Sequence, residues 1–316
     1  MTSQHQYAAC VDSLSRSFRG TLALDHVSLQ IPSGSVFGLV GLNGAGKTTL
    51  IQHLIGSMRA LHGSVTVLGQ DPTVEPEKLL AKIGYMSEED SLPKWMRISD
   101  LLSFCRSVYP TWSDRYAAEL CEMFGLSTEA KLKSLSKGGR ARAALLSAIA
   151  HRPELLILDE PSSGLDPIAR ADILEAIIRT VADEGRTVLF SSHLLDEIDR
   201  VCDHIALLHQ GKLLETITAE DLPERYVECF YCSDAPSTRP PEITGAFGAA
   251  GGNTEWSVLI DSEVHSATTE TIFQSRGVRW ELIRHQPATV HRWFAGRVRV
   301  SHTVEKTSDA EGVQNV

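Results

Sequence analysis

The segment Gly41–Thr49 has residue types and spacing that suit the binding of a polyphosphate. It reads Gly-Leu-Asn-Gly-Ala-Gly-Lys-Thr-Thr. Glycines let the backbone curl so that successive N–H groups converge on an anion at the start of a helix. In such a loop the lysine reaches the β- and γ-phosphates, and the next hydroxyl binds Mg²⁺. We therefore interpret Lys47 and Thr48 as ligands of a nucleotide and its metal, with Thr49 anchoring the helix.

The segments on either side of this loop support that interpretation. The apolar run Val36–Val40 predicts a buried strand, and Leu50–Met58 carries apolar residues at helical spacing. A phosphate-binding loop requires this order of strand, glycine loop and helix. The alternative is a glycine turn that joins strand to helix for structural reasons alone, and the flanking pattern disfavours it.

A second apolar run, Leu155–Leu158, ends in two adjacent carboxylates, Asp159 and Glu160. Such a run is typical of a parallel strand. Neighbouring strand residues point to opposite sides, so the two acids can hold different roles. We predict that Asp159 binds Mg²⁺ through water and that Glu160 polarises the water that attacks phosphorus. The alternative is a solvated strand end.

Three more positions are candidates with strong competing interpretations. His193 follows the strand-like Thr187–Ser191 and suits donation to a γ-phosphate, although a lone histidine there is more often a cap or surface residue. Ser136 suits the N-cap of a helix expected over Lys137–Ala150, and helix N-termini bind anions. A serine and two glycines before a helix are usually only a cap. Phe18, an aromatic at a turn, suits stacking on a purine or burial in a sheet.

The remaining pattern gives an α/β organisation with two parts. Short apolar runs over Tyr7–Ile31 predict antiparallel strands, and Ile98–Val108 and Asp114–Phe124 predict a helical insertion. Asp166 suits an N-cap, with Pro167 as the first residue of a helix. We expect one domain over residues 1–221 and a small α/β accessory domain over 222–316.

The expected accessory domain combines strands, helices and a linker. Residues 233–253 are rich in Pro, Gly, Ser and Ala, which predicts a loop or linker, and the tail after His302 is polar and predicted to be disordered. The predicted strands are Tyr226–Cys232, Trp256–Ile260 and Val278–Arg284, and the predicted helices His265–Gln274 and Thr289–Phe294.

Composition describes an ordinary globular chain. Of 316 residues, 42% are hydrophobic and 22% charged, and the net charge of −10 gives no electrostatic reason to expect nucleic acid. No run approaches the length of a membrane span and no signal peptide begins the sequence, which predicts a cytoplasmic protein. Cys229 and Cys232 have the spacing of a metal or redox pair, but a strand is favoured because such sites need further partners.

With these segments in this order, residues 1–221 resemble the ATP-binding domain of ABC (ATP-binding cassette) proteins. That family has a P-loop NTPase fold with a RecA-like core, an antiparallel β subdomain and a helical subdomain, here at about 88–150. The resemblance is carried by Gly41–Thr49 (Walker A), Leu155–Glu160 (Walker B), Leu135–Arg140 (signature segment), Ser162–Asp166 (D-loop) and His193 (switch histidine).

The resemblance implies an ATPase that uses ATP and Mg²⁺. It makes Glu160 the general base and His193 a contact of the γ-phosphate, which Lys47 also reaches. Phe18 is then the aromatic residue that stacks on adenine. Thr48, Glu88 and Asp159 would serve the metal. The implied nucleotide contacts are Phe18, Gly41, Asn43, Gly44, Ala45, Gly46, Lys47, Thr48 and Thr49, with Ser136 and Gly138 reaching ATP on another subunit.

Two positions depart from the family pattern. Glu88 stands where the family usually has glutamine, and its added negative charge should weaken binding near the γ-phosphate unless the metal offsets it. Lys137 replaces the first glycine of the usual Leu-Ser-Gly-Gly-Gln signature. A cation at the helix start suits a phosphate, while loss of the glycine restricts close backbone approach.

The arrangement is most similar to ATPase subunits of bacterial ABC-2-type exporters. This implies a separate transmembrane permease and a second ATPase, either an identical copy or a related chain, on the inner face of the membrane. The competing function is a soluble ABC ATPase that acts as a clamp on nucleic acid or a protein assembly. The chain lacks the long heptad insert and the zinc-finger cysteine pairs of DNA-repair types. A GTPase is disfavoured because no Asn-Lys-x-Asp motif occurs.

Overall fold

The computed structural model describes residues 6–89, 91–182, 185–264 and 271–299. The chain divides into two compact units, residues 1–216 and 217–316. Within the described residues, no helix has both the length and the hydropathy needed to cross a bilayer.

An antiparallel sheet of three strands begins the first unit. It has the order β2-β1-β4, built from β1 (Tyr7–Phe18), β2 (Thr21–Pro32) and β4 (His62–Val67). Apolar side chains of β2 alternate with exposed ones, so one face of the sheet is buried. The predicted antiparallel strands are confirmed.

The second sheet of this unit has six strands in the order β5-β6-β7-β3-β8-β9, of which the first five run parallel. Every residue of β3, β6 and β7 is buried, as expected for parallel strands covered on both faces. The six strands are β3 (Val36–Val40), β5 (Ile83–Met86), β6 (Leu155–Asp159), β7 (Thr187–Ser192), β8 (His204–His209) and β9 (Lys212–Thr218).

Four helices connect the strands of the two sheets: α1 (Lys47–Leu54), α2 (Pro76–Leu80), α6 (Pro167–Ala182) and α7 (Leu195–Val201). Leu50, Ile51 and Leu54 of α1 enter a core that also contains buried side chains from both sheets. Packing on both sheets fixes α1, and therefore the loop before it. Asp166 caps α6, because its Oδ1 accepts the amide hydrogens of Ile168 and Ala169, both at 3.0 Å.

Helices also form the predicted insertion: α3 (Ile98–Val108), α4 (Asp114–Met123), the 3₁₀ turn Leu132–Ser134 and α5 (Lys137–Ile149). Ser113 caps α4 and Ser136 caps α5, each with its hydroxyl oxygen accepting an amide hydrogen of the first turn. Helices were expected at these positions, and the cap at Ser136 is confirmed.

The second unit contains a four-stranded antiparallel sheet in the order β11-β10-β13-β12. Trp280 and Tyr231 are buried in its apolar core. Glu228 and Arg292 form a buried ion pair that joins the sheet to the last helix. The elements are α8 (Asp221–Arg225), β10 (Tyr226–Ser237), β11 (Phe247–Asp261), β12 (Ile272–Ser275), β13 (Val278–Pro287) and α9 (290–299).

Two predictions for this unit are wrong in part. The linker predicted over 233–253 is strand at both ends, because β10 and β11 pair as far as Ser237 opposite Asn253. The helix predicted over 265–274 is replaced at its end by β12, which pairs with β13; residues 265–270 lie outside the described residues, as does the tail after His302. Backbone pairing with a neighbouring strand decided both segments against their local composition, and β12 pairs with β13 across the two-residue turn Arg276-Gly277.

Candidate active site

The Gly41–Thr49 loop leads from β3 directly into α1, as predicted. Gly46 is the N-cap of α1 with φ of 106°, a conformation that L side chains rarely adopt. A Cβ there would lie 2.5 Å from the carbonyl oxygen of Ala23. Glycine is therefore required at this position, and the conformation it allows sets the direction in which Lys47 leaves the loop.

The Lys47 ammonium group lies inside the loop rather than in solvent. It donates to the carbonyl oxygen of Gly41 (2.7 Å) and lies 3.1 Å from Glu160 Oε1. The side chains of Lys47 and Glu160 are 6% and 5% exposed. A buried charge is costly without a partner, so each of these groups stabilises the other in the protein interior. A polyphosphate at this loop would compete with Glu160 for Lys47.

His193 completes the same cluster from the neighbouring strand. Its Nδ1 lies 2.6 Å from Glu160 Oε2, and its backbone N–H donates to the same oxygen at 3.3 Å. A carboxylate only accepts, so Nδ1 carries the proton of this bond and Nε2 of a neutral ring is an acceptor. Donation from Nε2 to a phosphate therefore requires a protonated imidazolium or rotation of the ring away from Glu160.

Asp159 and Glu160 are both buried, so the solvated strand end is the wrong alternative. Their environments differ as predicted for two roles. Asp159 Oδ1 accepts from the Ser191 hydroxyl at 2.6 Å, whereas Glu160 has a positive φ of 49° and faces Lys47 and His193. The Ser191 hydroxyl oxygen also accepts the amide hydrogen of Glu160 at 3.1 Å, so β7 fixes both acids.

The signature segment makes its contacts elsewhere in the same unit. Gly138 is buried at the start of α5, where a Cβ would lie 2.6 Å from the Cβ of Ala169 on α6. The Lys137 ammonium donates to the carbonyl oxygen of Ser163 at 2.7 Å. The lysine that replaces a glycine of the family pattern thus holds the D-loop of its own chain.

Phe18 and Glu88 are on the surface. Phe18 is 39% exposed at the end of β1, so burial in the sheet is the wrong alternative, and the Arg16 guanidinium lies 5.0 Å from its ring centroid. Glu88, Lys137 and Glu160 line one cleft of about 130 Å³. Burial and the negative charge of Asp159 raise the pKa of Tyr85, another residue of this cleft, to about 12, which keeps its hydroxyl protonated.

The donor set fits Mg²⁺ only together with a nucleotide. Among the described residues no cluster of three or more His, Cys, Asp or Glu side chains is placed to hold a metal. Thr48 is exposed on the loop and Asp159 retains one carboxylate oxygen beyond its bond to Ser191. Mg²⁺ is commonly bound through one or two protein oxygens plus substrate phosphates, which is what these residues offer.

Sequence reasoning assigned no individual role to three polar residues around this cluster: Ser162, which it placed only in the D-loop, Ser191 and Glu197. Each is buried and hydrogen-bonded close to Asp159, Glu160 or His193. The available signal was their position, because Ser162 lies in the turn after β6, Ser191 lies near the end of β7, and Glu197 lies in the first turn of α7, four residues after His193. Position alone did not reveal which groups these side chains contact.

A glycine loop between β3 and α1, a lysine inside it and two carboxylates at the end of a parallel strand define a P-loop nucleoside triphosphatase. Comparisons specify the class further. The sequence profile of the ABC transporter family matches residues 24–163. An ABC transporter ATP-binding protein of Bacillus subtilis, YhcH, is 36% identical over 212 residues, which cover 66% of this chain and 69% of the relative.

Two further relatives have more specific names. The bacitracin transport ATP-binding protein BcrA of Bacillus licheniformis is 32% identical, covering 70% of this chain and 74% of its own. The daunorubicin/doxorubicin resistance ATP-binding protein DrrA of Streptomyces peucetius is 34% identical, covering 70% and 68%. The solved ATP-binding subunit of an ABC transporter aligns with a TM-score of 0.64 and 29% identity over 69% of this chain and 92% of that chain.

The chain belongs to the family of ABC transporter ATP-binding proteins. The α/β fold expected from the sequence is confirmed, and so is its assignment as an ATP-binding, ATP-hydrolysing subunit.

Proposed function

We propose that this protein hydrolyses ATP with Glu160 as general base, in order to drive an ABC-2-type exporter. The contact that carries this proposal is the buried Lys47–Glu160 pair at the phosphate loop, together with the partly exposed His193 that contacts Glu160. One carboxylate oxygen of Glu160 faces Lys47, and His193 contacts the other. In this proposal the Lys47 ammonium turns from Glu160 to the β- and γ-phosphates, which leaves Glu160 free to accept a proton from water.

The remaining nucleotide contacts follow the loop and the adjacent sheet. Phe18 is exposed and available to stack on adenine. The backbone N–H groups of the loop bind phosphate oxygens: Gly41, Asn43, Gly44, Ala45 and Gly46, with Thr49 in the first turn of α1. Mg²⁺ would be held by Thr48 and Asp159, with Glu88 at the cleft, and would supply charge neutralisation of the phosphates.

We propose further that each ATP is shared between two cassettes. Ser136 and Gly138 start α5, where a helix N-terminus offers amide groups to an anion. A second copy, or a related ATPase, would present this segment to the nucleotide held on the Gly41–Thr49 loop. Light scattering of the Glu160→Gln variant with Mg-ATP tests this step: a doubling of mass is expected, whereas a monomer would contradict the two-copy arrangement.

The names of two relatives support export as the task. BcrA is named for bacitracin transport and DrrA for resistance to daunorubicin and doxorubicin. We therefore propose that a transmembrane permease docks on the insertion, with the ATPase on the cytoplasmic face of the membrane. Trp95, Phe104 and Val108 are large apolar side chains, 73%, 55% and 51% exposed, that offer such a surface.

Affinity purification from a detergent-solubilised membrane fraction tests this assignment. Recovery of a polytopic membrane protein would support transport, and loss of that protein from a Phe104→Ser, Val108→Ser variant would place the docking surface. Recovery of nucleic acid or ribosomes in its place would contradict it and favour the clamp function. We propose that residues 222–316, which lie within the second unit, form an accessory domain that supports the dimer or regulates it.

A further inference from the structure

Glu197 is a buried carboxylate that belongs to no motif of the family resemblance described above. It lies in α7 and is 3% exposed. Its Oε2 accepts from the hydroxyl of Ser162 at 2.6 Å and from the hydroxyl of Ser192 at 3.1 Å. Its Oε1 lies 3.2 Å from Nε of Arg170 on α6. One side chain thus joins three separate segments of the first unit.

The two serines flank the proposed catalytic pair. Ser162 follows Glu160 by two residues, and Ser192 directly precedes His193. Both serines are buried, at 1% and 0% exposure. The Glu160–His193 bond of 2.6 Å and the two hydroxyl bonds to Glu197 therefore hold the same two chain segments together.

We propose that Glu197 is a positioning residue that sets the distance between Glu160 and His193. The inference rests on the proposed roles of those two residues. Through Arg170 the carboxylate is also linked to α6, which begins where the D-loop ends, at Asp166. A movement of the D-loop would therefore change the positions of Glu160 and His193 through the contacts of Glu197.

The chemistry of the contacts favours positioning over generic packing. Hydrogen bonds to an ionised acceptor are shorter and stronger than neutral ones, and the Ser162 bond is short. Errors of about 1 Å in the placement of a reacting group can cost roughly 10²-fold in rate. The contacts of Glu197 are to Ser162, Ser192 and Arg170 rather than to the phosphate loop, so its loss should act on turnover and leave ATP binding in place.

A double-mutant cycle with His193 tests the inference on the full chain. We expect Glu197→Ala to lower kcat by about 10- to 100-fold with the KM for Mg-ATP within about threefold of wild type. In a His193→Ala background the same substitution should change kcat by less than about threefold, because the distance that Glu197 maintains no longer matters. Glu175→Ala, an exposed glutamate on α6, is the matched control and should change neither parameter.

Conservative variants keep the test decisive if Glu197→Ala folds poorly. Ser162→Ala removes one bond of the carboxylate, and Glu197→Gln keeps an acceptor oxygen while removing the charge opposite Arg170. Both should show smaller losses of kcat with the same dependence on His193. Equal losses in both backgrounds, or loss of nucleotide binding together with turnover, would overturn the positioning role.

The result that would contradict the proposed function differs from the result that would contradict the role of Glu197. If Glu160→Gln retains wild-type turnover, then Glu160 is not the base, whatever Glu197 does. If Glu160→Gln abolishes turnover while Glu197→Ala and Ser162→Ala leave kcat unchanged, the proposed base stands and the role of Glu197 is wrong.

Discussion

The phosphate-loop end and the signature end of the first unit are both built at helix starts, but they are organised differently. At the loop end, Lys47 and Glu160 are almost fully buried and satisfy each other's charge. At the signature end, Ser136 and Lys137 are exposed, and the lysine binds a backbone carbonyl of the D-loop. The charged side chains of the loop end are thus paired in the protein interior, whereas the side chains at the start of the signature end are exposed to solvent.

This difference explains how one chain can carry two incomplete halves of a site. A buried ion pair keeps its geometry without a ligand, and a ligand must compete with it to bind. The start of α5 costs little to leave without a ligand, because the Ser136 hydroxyl already accepts the amide hydrogen of Gly139. Substitutions at the loop end should therefore have large effects on chemistry, and substitutions at the signature end should have smaller ones.

The largest effect on nucleotide affinity is expected from Lys47→Ala. It removes the cation that the phosphates need and leaves Glu160 buried, with the His193 ring as its remaining side-chain partner. We expect affinity for Mg-ATP to fall by more than about 100-fold, since charge-assisted bonds to phosphate are strong. Titration with a fluorescent ATP analogue measures this. The control is Lys82→Ala, which removes an exposed lysine paired with Glu154. An affinity of Lys47→Ala equal to that of wild type would contradict the role of Lys47 in binding the phosphates.

Glu160→Gln separates binding from turnover at the same end. Loss of a positioned base should lower kcat by about 10²- to 10⁴-fold. Because the neutral amide no longer holds Lys47 by charge, affinity for ATP should rise above that of wild type. Steady-state hydrolysis and equilibrium nucleotide binding give the two quantities. Weaker binding would show that Glu160 assists the nucleotide rather than competing with it.

Much of the loop end was predictable from sequence because its elements are locally encoded. Fully apolar runs predicted β3 and β6, and the residues that follow each run are the ones that carry chemistry. Serine and aspartate caps predicted the starts of α5 and α6. Local signals of this kind do not depend on distant partners.

The contacts among these elements were not predictable in the same way. The bond of Lys137 to Ser163 and the network around Glu197 depend on how helices and strand ends pack after folding. The same limit applies in the second unit, where β11 contains a Gly-rich stretch that reads locally as a linker and becomes strand through pairing with β10. Long-range pairing overrides local composition in both cases.

A smaller effect is expected from Lys137→Met at the signature end. The substitution removes the exposed bond to Ser163, and a bond of that kind contributes about 1 kcal/mol, equivalent to roughly a fivefold change. We expect kcat to fall two- to tenfold with KM within about twofold, because the D-loop loosens. Lys133→Met, an exposed lysine just before this segment, is the control. A rise in KM above tenfold would show that Lys137 contacts phosphate directly.

The last effect is on stability rather than on turnover, and it is expected from acid at His151, the residue that follows the C-cap of α5. His151 is fully buried, donates from Nε2 to the carbonyl oxygen of Ile83 (3.2 Å), and stacks on Tyr109 at 3.8 Å between centroids. Burial lowers its pKa to about 4, against the ordinary 6.5. Between these values the unfolded chain binds a proton that the folded chain excludes, so the free energy of unfolding falls as pH falls.

At pH 5.5 this histidine should lower the free energy of unfolding by about 1 kcal/mol relative to pH 7.5. Burial also lowers the pKa of His53 on α1, so the acid dependence of the wild-type chain contains contributions from both histidines. His151→Gln keeps a donor for Ile83 but has no titratable group, and it isolates the contribution of His151. Urea midpoints at the two pH values should differ less in this variant than in wild type. An equal difference would mean that His151 does not contribute to the acid dependence of stability.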